Sequence, residues 1–424
     1  MSLKSFLAEG LRITDEILND IIFMCETRTK VTFFTRKGKN KMEFKHIIIF
    51  ILNFVKKSLQ LELDNFFSKV NDPDFRVSKQ AFSEARLKIS PTAFVKMSDA
   101  ILKWFYNDTD FKRYRGYRLL AIDGSVLEIN NTEKSRSEFG YVENQCSKVA
   151  RAQASGLYDV ENAMILASTI AKYTTSERSL AVELINKTEE MGFKNDLFLF
   201  DRGYPSSELI SFIESKNQKY LMRVSSGFLK VVTQTTKEDQ IVKTKYKGKT
   251  LQIRVLRFLL DSGIEEVLIT NILDIAFNTN DFKTLYFKRW GIEIEFNELK
   301  NRLQIENFTG ENPIAIKQDF YASMYLSNMI TLAKIDANAA ITEENKDKNL
   351  KYEYKVNTNI LIGKLKNSLV FMMLEKNPRK RSKILQKIMK AIAKNTVPIR
   401  PGRSNPRIMK KKHNKYPINR KSSL

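Results

Sequence analysis

The stretch LYFKRWGIEIEFNELKNRL, residues 285–303, places three glutamates within six positions among cations and aromatics. A helix advances about 100° per residue. Counted from Tyr286, the residues Arg289, Glu293, Asn297 and Lys300 fall within an arc of about 80° on that geometry. Ile292, Phe296, Leu299 and Leu303 form an apolar flank on one side of this arc, and Phe287, Trp290 and Ile294 form a second on the other. Lys288, Glu295, Glu298 and Arg302 collect on the opposite face. The helix therefore carries two polar stripes, whereas a surface helix normally has one. Lys288, Glu295, Glu298 and Arg302 are expected to be solvated. The Arg289–Glu293 stripe is expected to lie in a groove between two packed flanks, so the fold must supply core on both sides. A plain (i, i+4) ion pair is the ordinary alternative for Arg289 and Glu293.

A chain of 424 residues is too long for one compact core, which implies two or three units. Residues 1–112 read as helical: FKHIIIFILNFVKKSLQLELDNFFSKV has apolar positions at helical spacing and no Gly or Pro. In the following segment Ser78 is a cap, with Ala81 and Phe82 inward, and Ser90-Pro91 opens a further helix. The two form either a plain helical hairpin or a helix-turn-helix that turns Lys79, Arg86 and Lys88 toward DNA. From 113 to 226 the pattern becomes mixed. YRLLAIDGSVLEI reads as a hairpin about Asp-Gly, and ARAQASGLYDVENAMILASTI as two strands about DVEN. Then come a helix capped by Ser176 and stopped at Gly192, a strand, a helix opened at Pro205-Ser206, and a strand. The order indicates an α/β mixed sheet with flanking helices. Residues 227–272 read as a β-rich insertion with turns at Lys247-Gly248 and Asp261-Ser262-Gly263, and 273–335 as the return to the core with the two-stripe helix. Residues 338–355 read as a polar loop leading into a helical, basic C-terminal region, 336–424.

Charge and residue inventory narrow the chemistry. Of the net +24, Lys376 to Leu424 contribute 17 Lys or Arg and no Asp or Glu, which leaves +7 (24 less 17) for the rest. Such a segment suits a polyanion, with a merely solubilising tail as the alternative. The two histidines, His46 and His413, stand near opposite ends of the sequence and neither adjoins a plausible nucleophile, which removes histidine triads and HExxH zinc sites. Cys25 and Cys146 are too far apart in sequence for a CxxC site and read as inert buried thiols. No apolar run approaches the ~20 residues of a membrane helix. The start, MSLKSFLAEGL, lacks signal-peptide architecture, so a cytoplasmic protein is expected.

Carboxylates must then do the work. Asp123 follows RLLAI and Asp201 follows LFLF, so each ends an apolar run that reads as a buried strand. A carboxylate there is costly unless it is paired or bound to a cation. A turn role is the simple alternative for Asp123, less so for Asp201, because Arg202 intervenes before Gly203. Two strand-borne Asp and one helix-borne Glu suit Mg²⁺ or Mn²⁺. Such ions in pairs serve phosphodiester displacement.

Tyr286-x2-Arg289-x3-Glu293-x6-Lys300, with AIDGS and FDRGY upstream and a β-rich insertion before the Glu, resembles the Tyr-Arg-Glu-Lys branch of bacterial insertion-sequence DDE transposases. The resemblance spans most of the chain. It implies a ribonuclease-H-like core in which Asp123, Asp201 and Glu293 bind two divalent ions, while Tyr286, Arg289 and Lys300 hold phosphates of the transposon end. Arg202 and Trp290 are further candidates for DNA contact. It implies double-stranded DNA as partner, cleavage at terminal inverted repeats, joining of 3′-OH ends to target DNA, a homodimer in a synaptic complex, and a bacterial, nucleoid-associated location. Hairpin-forming relatives carry a Trp on the strand leaving the insertion; here EEVLITNIL has no aromatic, and Val267 is the nearest counterpart. A ribonuclease-H-like nuclease or resolvase without strand transfer, and a catalytically silent DNA-binding descendant, are the rival readings.

Overall fold

The computed structural model describes residues 5–35, 42–53, 58–70, 76–143, 145, 147–225, 227–260 and 263–400. Cys146, His413, Asp261 and Ser262 of the expected turn, and the basic tail beyond 400 lie outside the described residues. Two compact units emerge: the first comprises 1–104, 128–150 and 299–424, the second 105–127 and 151–298.

In the first unit, Ser5 caps α1 (Phe6–Asn19) by accepting from the Ala8 N–H at 3.1 Å, and Asp20 caps α2 (Ile21–Thr27). The expected long helix is two: α3 (Phe44–Ile51), whose isoleucines are buried all round, and α4 (Leu59–Val70). Ser78 caps α5 (Lys79–Arg86) as expected and Phe82 is buried, but Ala81 is exposed. After Ser90 the chain enters α6 (Thr92–Asp108). Cys25 is exposed, against the expectation of a buried thiol.

The second unit is built on a mixed sheet. The expected Asp-Gly hairpin is instead one continuous strand, β1 (Arg118–Glu128), which passes straight through Asp123 and Gly124. In the first unit α7 (Glu133–Phe139) and β2 (Tyr141–Glu143) follow; neither was expected. Next are β3 (Lys148–Asp159) and β4 (Met164–Lys172), joined at DVEN, where Asp159 accepts from the Glu161 and Asn162 N–H groups. Then α8 (Glu177–Glu190), β5 (Asp196–Phe200), α9 (Ser207–Ser215) and β6 (Lys219–Arg223) alternate. Gly192 ends the turn after α8 at φ 74°, a region that favours glycine. The insertion holds α10 (Lys230–Thr233), β7 (Asp239–Tyr246), β8 (Lys249–Leu259) and β9 (Glu265–Thr270). Lys247 and Gly248 both have positive φ, as a two-residue hairpin requires. The strand order is β2-β3-β1-β5-β6-β9-β8-β7, with β4 also paired to β3, so the insertion extends the sheet rather than forming a separate body. β1, β5 and β6 are parallel, and the strands from β9 onward antiparallel. Two helices, α11 (Thr279–Lys288) and α12 (Trp290–Asn301), close the unit's sequence.

The first unit resumes with α13 (Pro313–Asn345), 33 residues capped by Asn312 and buried on nearly every side from Ala315 to Ala333. Residues 338–345, expected as loop, are its last turns. Asp336 on α13 accepts from the Phe6 and Leu7 N–H groups at 2.8 and 3.0 Å and fixes the start of α1. β10 (Tyr354–Val356), α14 (Thr358–Leu374), α15 (Pro378–Ala393) and β11 (Thr396–Pro398) complete the described chain, with α14 and α15 packed on α13. No helix among the described residues is long and apolar enough to cross a membrane.

Arg118 and Asp196 face each other at the start of β1 and β5, 4% and 0% exposed, with Nη2–H···O contacts of 2.7 and 3.0 Å and Nε–H···O of 2.9 Å. Burial pushes the Asp196 carboxyl up to about 6, and Arg118 opposes the shift. Arg118→Met should cost about 3–5 kcal/mol, because it leaves a buried charge unpaired, and Arg118→Met/Asp196→Leu should recover most of that loss. Urea denaturation of the two variants checks this; equal losses would show that the pair is not the cause.

Candidate active site

The β1–β5 ladder runs from Arg118↔Asp196 to Ala121↔Leu199. Asp123 and Asp201 each lie five residues beyond the first pair, so the shared register brings both carboxylates to one height where the ladder ends. In parallel sheets the carboxyl ends of the strands are where ligands bind. Asp123 Oδ1 accepts the Gly124 N–H at 2.9 Å. At Gly124 a Cβ would stand 2.5 Å from Glu177 Oε1 and 2.7 Å from Gln153 Nε2, so a larger residue there would displace those two side-chain ends. Burial pushes Asp123 up to about 6; the Gly124 N–H and Arg289 oppose this, while Glu293 and Glu177 add to it.

Asp201 Oδ1 accepts the Tyr286 hydroxyl at 3.3 Å. Tyr286 is 4% exposed, and burial raises its phenol above the ordinary range. Next to Asp201, Tyr204 is buried with its hydroxyl unpaired among the described residues. Burial, then the charges of Glu177, Asp123 and Asp201, raise its phenol as well.

The single helix expected over 285–303 is broken at Arg289, which ends α11 and precedes α12. A capping box between Asn278 and Asp281 starts α11. Arg289 is 3% exposed and donates from Nη2 to Glu293 Oε1 at 2.8 Å, while its Nε finds no partner among the described residues. Its guanidinium lies 5.6 Å from the Tyr286 ring centroid and 5.1 Å from that of Trp290. Tyr286, Arg289 and Glu293 thus gather with Asp123 and Asp201 in the second unit.

The flanks of α12 differ from expectation. Gly291 and Phe296 lie against β3 and its turn: a Cβ at Gly291 would be 3.4 Å from Val160 Cγ1, and one at Gly156 would be 3.4 Å from Phe296 Cζ. That contact rolls the face expected to be solvated toward the protein. Glu295 is buried, and Lys288 is half-buried and bonded to Glu161. Of the two flanks expected to pack, Ile292, Leu299 and Leu303 are buried, whereas Phe287, Trp290 and Ile294 are 51%, 42% and 61% exposed.

The remaining candidates are dispersed. Arg202 and Lys79 are exposed. Lys88 is half-buried, 5.5 Å over the Phe33 ring. Lys300 stands 3.9 Å from Glu306 in the first unit. Arg86 is corrected from a DNA-facing residue to a buried one: it donates to Gln318, Thr309, Ala315 O and Asp319 at 2.8, 2.6, 3.2 and 2.7 Å, within the first unit. Its position on the inner face of α5, beside Phe82, leaves it no route to solvent.

Glu177, Gln153 and Tyr204 had no place in the sequence reading. Glu177 is the first residue of α8 and accepts from Gln153 Nε2 at 3.2 Å. The only sequence signal was a glutamate directly after the Ser176 cap, and that also marks ordinary helix starts. An all-oxygen donor set suits a hard divalent cation. Among the described residues, no three His, Cys, Asp or Glu converge closely enough to form a metal-holding group.

Residues 114–329, just over half the chain, match the family described as the transposase DDE domain, and the chain belongs to that family. It is similar to the transposase InsG for insertion sequence element IS4 from Escherichia coli (strain K12), 21% identical over 271 residues, which is 60% of this chain and 60% of the length of that relative. A cryo-EM structure of the piggyBac transposase synaptic complex with hairpin DNA aligns over 95% of this chain and 88% of its own at 12% identity, with a TM-score of 0.48.

Asp123 holds its proton more tightly when folded than when unfolded, so between about pH 4 and 6 the folded chain binds more protons and ionisation of this group lowers stability as pH rises. Asp123→Asn is therefore expected to raise Tm at pH 7, with the gain vanishing toward about pH 4. Thermal melts across that range check it; a gain independent of pH would remove the electrostatic cause.

Proposed function

We propose that this protein is a cut-and-paste DNA transposase of the branch marked by the Tyr-Arg-Glu-Lys signature, with a ribonuclease-H-like core that the 227–272 insertion interrupts. The observation that carries the reading is the shared height of Asp123 and Asp201 on neighbouring parallel strands, with Tyr286 bonded to one and Arg289 linking the signature to Glu293. Asp123, Asp201 and Glu293 would hold Mg²⁺ or Mn²⁺, two ions per site, which when bound supply an activated water or hydroxyl and stabilise the leaving oxygen. The donor type suits such ions although the carboxylates do not converge on one point here, and the like-charged neighbours that raise Asp123 are what a cation would neutralise.

The chain's own residues position these groups. Arg289 orients Glu293, and its Nε, without a partner among the described residues, is a donor for a phosphate oxygen of the transposon end. Tyr286 orients Asp201. Lys300 acts on phosphate as a point charge. Trp290, exposed between Phe287 and Ile294, offers a face on which a base stacks. The helical segment 1–112 with Lys79 and Lys88, Arg202 and the basic region from 376 supply further contacts to double-stranded DNA. The working form is a homodimer within a synaptic complex that excises the element at its inverted repeats and joins 3′-OH ends to target DNA. Its place is the bacterial cytoplasm, with the nucleoid.

The test uses labelled duplexes of the DNA that flanks the chain's own gene, with Mg²⁺. Wild type should cut at a discrete repeat boundary. Asp123→Asn, Asp201→Asn and Glu293→Gln should each abolish cleavage and leave binding intact, and Glu298→Gln should cut like wild type. Cleavage by Glu293→Gln would sink the assignment. Joining of a 3′-OH end to a second duplex separates a transposase from a nuclease, and binding without cleavage by any form would favour a silent DNA-binding descendant.

A further inference from the structure

Helix α15 carries a charge arrangement that the active site does not explain. On the 100° wheel, Arg379, Lys383, Lys387, Lys390 and the capping residue Lys394 fall at roughly 0°, 40°, 80°, 20° and 60°. All five are exposed, and none has an acidic partner among the described residues. Opposite them, Leu385 and Ile392 are buried and Ile384, Ile388 and Met389 half-buried where α15 packs on α13 and α14. Arg381, which lies on that inner side, is held by Asp15 Oδ2 at 3.0 Å and Glu375 O at 2.8 Å. The helix contains no Asp or Glu.

The stripe works against the helix that bears it. Arg379 and Lys380 stand in the first turn, where the helix dipole disfavours positive charge. Arg379/Lys383, Lys383/Lys387 and Lys390/Lys394 are like-charged (i, i+4) neighbours, each costing a few tenths of a kcal/mol. A merely solvated face would serve equally well with mixed charges. Fifteen residues of rise set the five cations along about 22 Å. One strand of duplex DNA places a phosphate every ~3.4 Å along its axis, so that length faces about six phosphates.

We infer that the outer face of α15 is a phosphate-tracking surface that lies along the backbone of duplex DNA without reading its sequence. This rests on the transposase reading for the choice of DNA. An anionic membrane surface is the less favoured polyanion, because an interfacial helix inserts its apolar face and that of α15 is already packed.

The test compares the full chain with a variant carrying Arg379→Gln, Lys383→Gln, Lys387→Gln, Lys390→Gln and Lys394→Gln, on a labelled random-sequence duplex, by anisotropy between about 50 and 200 mM salt. At ~0.9 per phosphate contact, the slope of log K against log salt should become shallower by about 4 to 5. The variant should melt at the same temperature as wild type or higher at low salt, since like-charge repulsion is relieved. An unchanged slope in a folded variant would overturn the inference and leave the transposase reading standing. No duplex binding by wild type would overturn both. Loss of binding to phosphatidylserine vesicles with an unchanged DNA slope would assign the stripe to lipid and overturn the DNA surface.

Discussion

Arg118 and Asp196 meet where β1 and β5 begin, with the guanidinium held 3.9 Å over Phe193 and 4.8 Å from the Tyr106 ring, and with Tyr106 in turn donating to Asp159 at 2.7 Å. Desolvation of a buried pair can offset its attraction, so its contribution to net stability is small or even negative beside an apolar substitute. What it specifies is register. A slip of one residue between β1 and β5 would leave both charges without partners and turn alternate side chains to the other face. With the pair in place, five residues of each strand, at ~3.3 Å per residue, carry Asp123 and Asp201 about 17 Å along the sheet to the same height.

The helix side of the site depends on small residues. α12 approaches β3 at Gly291 and Gly156, where the spaces a Cβ would occupy end at Val160 and Phe296. The closeness of that contact fixes the roll of α12, buries Glu295 and presents Glu293 on the side of Asp123. At the break, Tyr286 on α11 bonds Asp201 while Arg289 bonds Glu293 on α12.

Much of this was legible in the sequence, and the failures have definite physical causes. Asp201 and Glu293 were marked by an apolar run and by an angle count, both of which report backbone periodicity. The hairpin at Asp123 failed because Asp-Gly signals a tight turn only when the backbone needs positive φ; here the glycine makes room for Glu177 and Gln153. On α12 the Ile292, Leu299 and Leu303 flank packs as expected, but Glu295 is buried and the Phe287, Trp290 and Ile294 flank is open, because a helical wheel carries angles but not the direction of the neighbour. Arg86 and Glu177 were lost for a related reason: the partners that define them, Asp319 and Gln153, are 233 and 24 residues away in sequence.

Charge explains why such a site persists at a cost to the fold. Asp123, Glu293 and Glu177 act on one another at a partly buried strand edge, and Asp123 is raised toward neutrality as a result. Arg289, bonded to Glu293, opposes this rise. Fold stability alone would replace one carboxylate with an amide or an apolar residue. A group that gains from the excess charge only when a cation arrives has the opposite requirement, and perturbed carboxylates of this kind concentrate where ligands bind. The same logic applies with reversed sign on α15, whose cations lack acidic partners among the described residues and repel one another along the helix. Two surfaces of opposite charge, neither compensated among the described residues, are what the proposed DNA-and-cation chemistry requires of the fold.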